Sequence, residues 1–195
     1  ITSQPELLSN SAHASFSFTS ADPTATFGCS LDGAEFSACA SPKDYESLLD
    51  GAHIFAVRAT DQAGNTEATP ASYGWTIDTT APETSITTMP VDPSNSTDGS
   101  ISFASSEDAS TFECSLDGAD FDTCTSPYAF DGLEDGTHTF AVKATDAAGN
   151  TDGTAAESNW TIDTVAPDTG ITGQPLNPSN SAAATFSFTS NEPLS

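Results

Sequence analysis

The chain repeats itself every 85 residues. ITSQP at position 1 returns as ITTMP at 86 and as ITGQP at 171, offsets of 86 − 1 and 171 − 86. SFSFTS at 15 recurs as SISFAS at 100 and TFSFTS at 185, and FAVRATDQAGNT at 55 recurs as FAVKATDAAGNT at 140. WTIDTTAPET at 75 becomes WTIDTVAPDT at 160. No insertion separates the copies. Self-similarity at a fixed period restricts the fold to one supersecondary unit used again and again. The boundaries read as 1–80 for the first unit, 81–165 for the second and 166–195 for a partial third, which holds a unit's first two strands.

Within a unit, apolar residues alternate at period two, the pattern of a strand with one buried face. Phe16 and Phe18 share a face, as do Phe27, Cys29 and Leu31, then Phe55, Val57 and Ala59, then Tyr73, Trp75 and Ile77. Turn-forming stretches such as LDGA, LLDGAH and DQAGNT punctuate these runs. The pattern predicts seven strands, near 1–6, 13–20, 24–31, 35–40, 45–49, 52–60 and 71–78. Short strands with one buried face and frequent turns imply two packed antiparallel sheets. The expected fold class is therefore all-β: tandem seven-stranded immunoglobulin-like β-sandwich domains in an extended array.

Charge removes whole classes of partner. With 28 acidic against 3 basic residues, the net charge is −25. Such a chain is repelled by phosphate backbones and anionic lipid heads, so no nucleic acid is expected. No apolar run reaches the ~18 residues of a membrane span, so no membrane insertion is expected. Acidity alone would suit a disordered chain, but 12 Phe, 3 Tyr and 2 Trp placed in alternating runs argue for a folded one. The stretch opening at Ile1 has no charged-then-apolar leader, so any export signal is expected to lie outside it.

The four cysteines form two local pairs, Cys29/Cys39 and Cys114/Cys124. This is not the short C-x-x-C spacing of a zinc ribbon or thioredoxin-like site. An even, pairwise count in a Ser/Thr-rich acidic chain points to disulfides and an oxidising compartment. Between the partners lie Asp32-Gly33 and Asp117-Gly118, strong hairpin signals. A two-residue Asp-Gly turn would set Cys29 opposite Phe36, whereas directly opposed cysteines need a loop centred on Ala34. Either a longer loop with Gly33 left-handed or a bulge before Cys39 would let the sulfurs meet. No Lys, Arg or His lies nearby in sequence to favour a thiolate, so the pairs read as staples, not redox centres.

TFECSLDGADFDTCTSPY, GTHTFAVKATDAAGNT and WTIDTVAP resemble the bacterial immunoglobulin-like repeats found in tandem in very large secreted and surface proteins, giant adhesins among them. The resemblance spans the whole 85-residue unit. It implies a seven-stranded sandwich, export to the cell surface, and a spacer or stalk role in an adhesive or filamentous assembly. Some members of that group bind calcium at domain junctions. By motif match the candidate ligands are Asp61 and Asn65 in DQAGN, Asp146 and Asn150 in DAAGN, and the linker residues Asp78 and Asp163. Calcium takes six to eight oxygens, which converging carboxylates supply. Equally, Asp and Asn are common in turns because they bond their own backbone. No cofactor is required by this reading, and calcium is the one that the resemblance admits.

The remaining motifs carry little chemistry. His53 and His138 are repeat equivalents on the parity of Phe55 and Phe140, and read as packed strand histidines. No nucleophile elbow, phosphate loop or dinucleotide fingerprint is present in the sequence. Notable residues recur at the same slot in both units, whereas an active site is assembled once from convergent groups; no catalytic residues and no enzyme activity are expected. Asn95 in NST and Asn159 in NWT match the glycan-acceptor pattern. The linkers IDTTAPET (77–84) and IDTVAPDT (162–169) are short, and their proline restricts the backbone on both sides. The expected function is a spacer in an extracellular surface fibre, stalk or adhesin, an elongated disulfide-stapled rod advancing on the order of 40 Å per unit. Its expected partners are neighbouring repeats of the same chain, with self-association into filaments as a further expectation. The alternative is an adhesive binding module that recognises a glycan or a surface, stiffened by calcium.

Overall fold

The computed structural model describes residues 1–191; residues 192–195, the end of the partial third unit, lie outside the described residues. Unit 1 contains β1 (Leu8–Ser9), β2 (Ala14–Phe16), β3 (Thr26–Leu31), β4 (Ser37–Cys39), β5 (Lys43–Tyr45), β6 (Gly51–Thr60) and β7 (Ala71–Ile77). Unit 2 contains β8 (Thr84–Thr88), β9 (Gly99–Ser105), β10 (Thr111–Leu116), β11 (Asp122–Cys124), β12 (Tyr128–Phe130), β13 (Gly136–Thr145) and β14 (Ala156–Ile162). A hairpin of β15 (Thr169–Gly173) and β16 (Ser187–Ser190) follows. The fold is all-β, a tandem of sandwiches.

In unit 1 one sheet has the order β1-β7-β6-β3-β4, and β2-β5 forms the other face. Unit 2 repeats the plan as β11-β10-β13-β14 against β12-β9-β8. Period-two alternation drives the packing: His138, Phe140, Val142 and Ala144 point inward along β13 while their neighbours do not. Phe16 on β2 stacks on Phe55 of β6 across the sheets, with ring centroids 4.1 Å apart. One core gathers residues between Ala14 and Ile77 and a second gathers residues between Ile101 and Ile162. The interiors are separate. The β15–β16 hairpin leaves Ile171, Phe186 and Phe188 exposed, because two strands alone have no second sheet to bury them.

Two strand expectations need correcting. The strand expected over 1–6 is present in unit 1 only as a bridge between Ser3 and Ser17, and Leu8–Ser9 joins the opposite sheet parallel to β7. Pro5, with no N–H to donate, interrupts it; in unit 2 the matching strand is longer because Thr84 and Ser85 of the linker extend it. The strand expected over 45–49 lies at Lys43–Tyr45, since Ser47 adopts a left-handed φ of 57° that turns the chain out of the sheet.

The cysteine hairpin combines a tight turn with a bulge. Asp32 and Gly33 both have positive φ, 52° and 75°, and Ala34 donates to the Leu31 carbonyl at 2.9 Å, the two-residue type I′ arrangement. Cys29 nevertheless pairs with Ser37 rather than Phe36, so one extra residue is accommodated between them. The cysteines are bonded diagonally, Cys29 to Cys39 and Cys114 to Cys124, each with Cα atoms 5.8 Å apart. Closing so short a ring limits the unfolded chain by about 2–3 kcal/mol in the loop-entropy view. Replacing Cys114 and Cys124 together by serine is therefore expected to lower the denaturant midpoint of unit 2 while unit 1 keeps its own. An unchanged unit 2 midpoint in urea would contradict this.

Candidate junction site

The DAAGN turn builds one half of the site. Asp146 follows β13, and its Oδ1 accepts the backbone N–H groups of Gly149 and Asn150 at 2.6 and 2.8 Å. Asn150 Nδ2 donates to Asp146 Oδ2 at 2.7 Å. Gly149, at φ 95°, makes the turn possible. Asp61 and Asn65 build the same turn in unit 1, with bonds of 2.8 and 2.7 Å. The turn thus stands without help from a neighbour, as the ordinary preference of Asp and Asn for such positions requires.

What differs in unit 2 is its neighbour. Asn150 Nδ2 also donates, at 2.8 Å, to the carbonyl of Asp78, the first residue after β7. Asn10, in the loop after β1, lies close enough to Gly149 that a Cβ there would sit 3.4 Å from its Nδ2. Glu107, in the loop between β9 and β10, completes the arrangement. Carboxylate oxygens of Asp78, Glu107 and Asp146 all lie within 4.8 Å of one another. Burial and the adjacent charges of Asp78 and Asp146 raise the Glu107 pKa. Burial also pushes Asp146 upward, but its hydrogen bonds from Asn150 and from the turn N–H groups outweigh this and hold it below the usual carboxylate range.

No basic side chain balances this charge. The chain's three Lys and Arg side chains are engaged elsewhere: Arg58 over Phe36, Lys43 over Tyr45, and Lys143 over Phe121 and beside Glu113. An all-oxygen donor set of three carboxylates, with the Lys and Arg side chains engaged elsewhere, matches the chemistry of a hard divalent ion such as calcium.

The structure therefore groups Asp78, Asp146 and Asn150, and separates the other candidates from them. Asp61 and Asn65 bond to each other, and Asp163 accepts the Val165 N–H within its own linker. Glu107 was not among the residues picked out by motif. The available signal was the repeat itself, which places an acid at Asp22, Glu107 and Glu192. Asn95 is exposed in the loop before β9, and Asn159 is exposed on β14 opposite Thr139.

The linker between the units is held, not loose. Pro82 is fully buried. Glu83 and Ser106 exchange hydrogen bonds, Thr84 donates its N–H to Asp152 Oδ2 at 2.8 Å, and Ala144 donates its N–H to Thr84 Oγ1 at 2.9 Å.

A second polar cluster clamps each cysteine hairpin. His138 Nδ1 lies 2.8 Å from Asp117 Oδ2, and Nε2 lies 2.8 Å from the Glu134 carbonyl. His53 meets Asp32 and the Leu49 carbonyl at the same distances. A carbonyl and a carboxylate both accept, so the clamp is fully bonded when the ring is protonated and both nitrogens donate. The carbonyl of Glu134 or Leu49, then the carboxylate, raise the histidine pKa against the opposing effect of burial. Asp32 and Asp117 also accept the N–H of Ile54 and Thr139, tying the turn to β6 or β13.

No family model matches the chain, and no curated protein matches it. Several solved structures are similar to it. The fibronectin(III)-like modules of Clostridium thermocellum CbhA align at 15% identity and a TM-score of 0.45, over 80% of this chain and 87% of that one. A Ca2+-stabilized adhesin that helps an Antarctic bacterium reach out and bind ice aligns at 21% identity and a TM-score of 0.42, over 85% of this chain and 49% of that one. A tetra-tandem repeat in the extending region of a large adhesion protein aligns at 19% identity and a TM-score of 0.35, over 95% and 53%. The chain spans about half the length of the latter two.

Proposed function

We propose that this chain is a spacer segment of an extracellular bacterial surface fibre, stalk or adhesin, in which each sandwich is held in line with the next at its junction. The observation that carries this reading is the seated linker: Thr79 and Thr80 bond to Asp50 of unit 1, while Pro82 is buried and Thr84 bonds to Asp152 and Ala144 of unit 2, so the units are not joined by a free tether. The disulfides agree with an oxidising, extracellular setting. Exposed aromatic rings are what a glycan-binding face would need. In the two full units only Phe121 is more than a third exposed, at 38%, and Lys143 covers it. That favours reach over recognition.

Asp78, Glu107 and Asp146 are the residues that would hold calcium, which would neutralise the cluster and stiffen the joint. Small-angle scattering of the chain is expected to give an elongated particle of roughly 40 Å per unit, and a compact profile would refute the spacer reading. Calcium at a hundredfold excess over its Kd is expected to stabilise the folded junction by about 2.7 kcal/mol. Chelation should therefore lower the melting midpoint, and Glu107→Gln should remove most of the calcium response. Identical midpoints with calcium and with chelator would dismiss the metal and leave the spacer reading standing.

A further inference from the structure

The end of unit 1 remote from the junction carries an open groove of about 430 Å³, lined by Phe18, Ser20, Val57, Ala59, Asp61 and Glu67 among others. Adding 85 to each number gives Phe103, Ser105, Val142, Ala144, Asp146 and Asp152, the surface on which the linker of unit 2 is seated. There Thr84 pairs with Ser105 and Ser85 with Ala104 as a sheet edge, while Thr84 bridges Ala144 and Asp152. Burial records the occupancy. Ala144, Asp146 and Asp152 are buried at 0%, 7% and 8% exposure, whereas Ala59 and Asp61 are half-buried and Glu67 is exposed. In the open groove the Ala59 N–H, which in unit 2 binds a threonine hydroxyl, turns to Glu67 Oε2 over a long 3.3 Å.

The geometry points to a docking site on unit 1 for a linker of the form D-T-x-A-P-x-T, presented by a preceding sandwich of the same repeat type. The linker adds to the sheet edge at Thr19–Ala21, main chain to main chain, as Glu83–Ser85 do at Ala104–Ser106. Its proline fills the apolar floor. Its last threonine takes the Ala59 N–H on its hydroxyl and gives its own N–H to Glu67, which is released from Ala59 by that exchange. Ala21 stands where unit 2 has Ser106, so the bond that the Glu83 N–H donates to Ser106 Oγ has no equivalent. Seating also brings the aspartate of the incoming linker to Asp61 and Asp22, the counterparts of Asp146 and Glu107. The inference rests on the spacer reading only for the source of the linker.

The test is the 195-residue chain with the sequence of residues 78–85, DTTAPETS, joined directly ahead of Ile1, beside a chain carrying the same residues in scrambled order. Amide hydrogen exchange is followed by NMR. The native-order extension is expected to slow exchange at Ala59 on the order of tenfold or more, towards the rate of Ala144, and the scrambled one to leave it unchanged. Unchanged Ala59 exchange in the native-order chain overturns the proposal, as does equal protection by both extensions. Concentration-dependent protection in the unextended chain, with a dimer in sedimentation, overturns it in favour of a second copy. Scattering on the unextended chain reads the spacer function separately, so the two can fail independently.

Discussion

Phe55→Ala is expected to strip the first sandwich of about half its stability and leave the second one as stable as before. Phe55 is wholly buried, stacked on Phe16 at 4.1 Å and within 6.1 Å of Phe18 and Tyr45. Truncating a phenylalanine in a packed core costs about 3–5 kcal/mol, transfer and cavity together. A domain of this size has on the order of 5–10 kcal/mol in total. The loss would therefore take about half the stability of unit 1. No core residue of unit 1 belongs to the core of unit 2, so unit 2 should lose only its junction contacts. In urea just below the wild-type midpoint, heteronuclear NMR should show amides of 1–77 collapsing into the unfolded range while those of 99–162 stay dispersed. Simultaneous loss of both sets would mean that the units share one cooperative interior.

The second large effect is on pH. His53 and His138 have pKa values raised above the ordinary value of about 6.5. A group whose folded pKa is raised contributes fully below its unfolded pKa and loses that contribution as pH rises through the folded value. Above that pH one ring nitrogen becomes a bare acceptor facing a carbonyl or carboxylate oxygen. Asp32 and Asp117 behave oppositely. Burial pushes them upward, but the Ile54 N–H and His53, or His138 and the Thr139 N–H, hold them below the usual value. Their contribution is present above about pH 4 and is lost as pH falls through the lowered pKa. Both partners are charged between these limits. The melting midpoint should therefore be highest between about pH 4 and 6.5 and fall on the alkaline side, with His53→Asn/His138→Asn flattening that limb. At pH 5, His138→Ala should cost about 2 kcal/mol through loss of charge-assisted bonds. A midpoint in the wild-type chain that does not change from pH 6 to 9 would show that the clamp does not titrate in this range.

Several of these features were legible as local pattern. The 85-residue offset, the inward parity of Phe55, Val57 and Ala59, and the Asp-Gly turn between paired cysteines each depend on residues close in sequence. The histidines were legible as packed strand positions, but not as clamps on the turn. Asp32 and His53 are 21 residues apart, and nothing in that spacing signals that β3 and β6 pair so as to set the turn carboxylate against the ring. The diagonal disulfide was similarly open, since a tight turn alone sets Cys29 against Phe36 and only the added bulge places it against Ser37.

By itself the sequence determined the repeat, the strand period, the turns and the overwhelming negative charge, because each is a property of short runs of side chains and their backbone preferences. Only the tertiary structure decided that Asp78 of one unit meets Glu107 and Asp146 of the next, and that the linker lies in a groove. These residues come from three loops and two sandwiches. Bringing them together depends on how whole sheets pack and abut, a long-range balance of buried surface that no local spacing encodes.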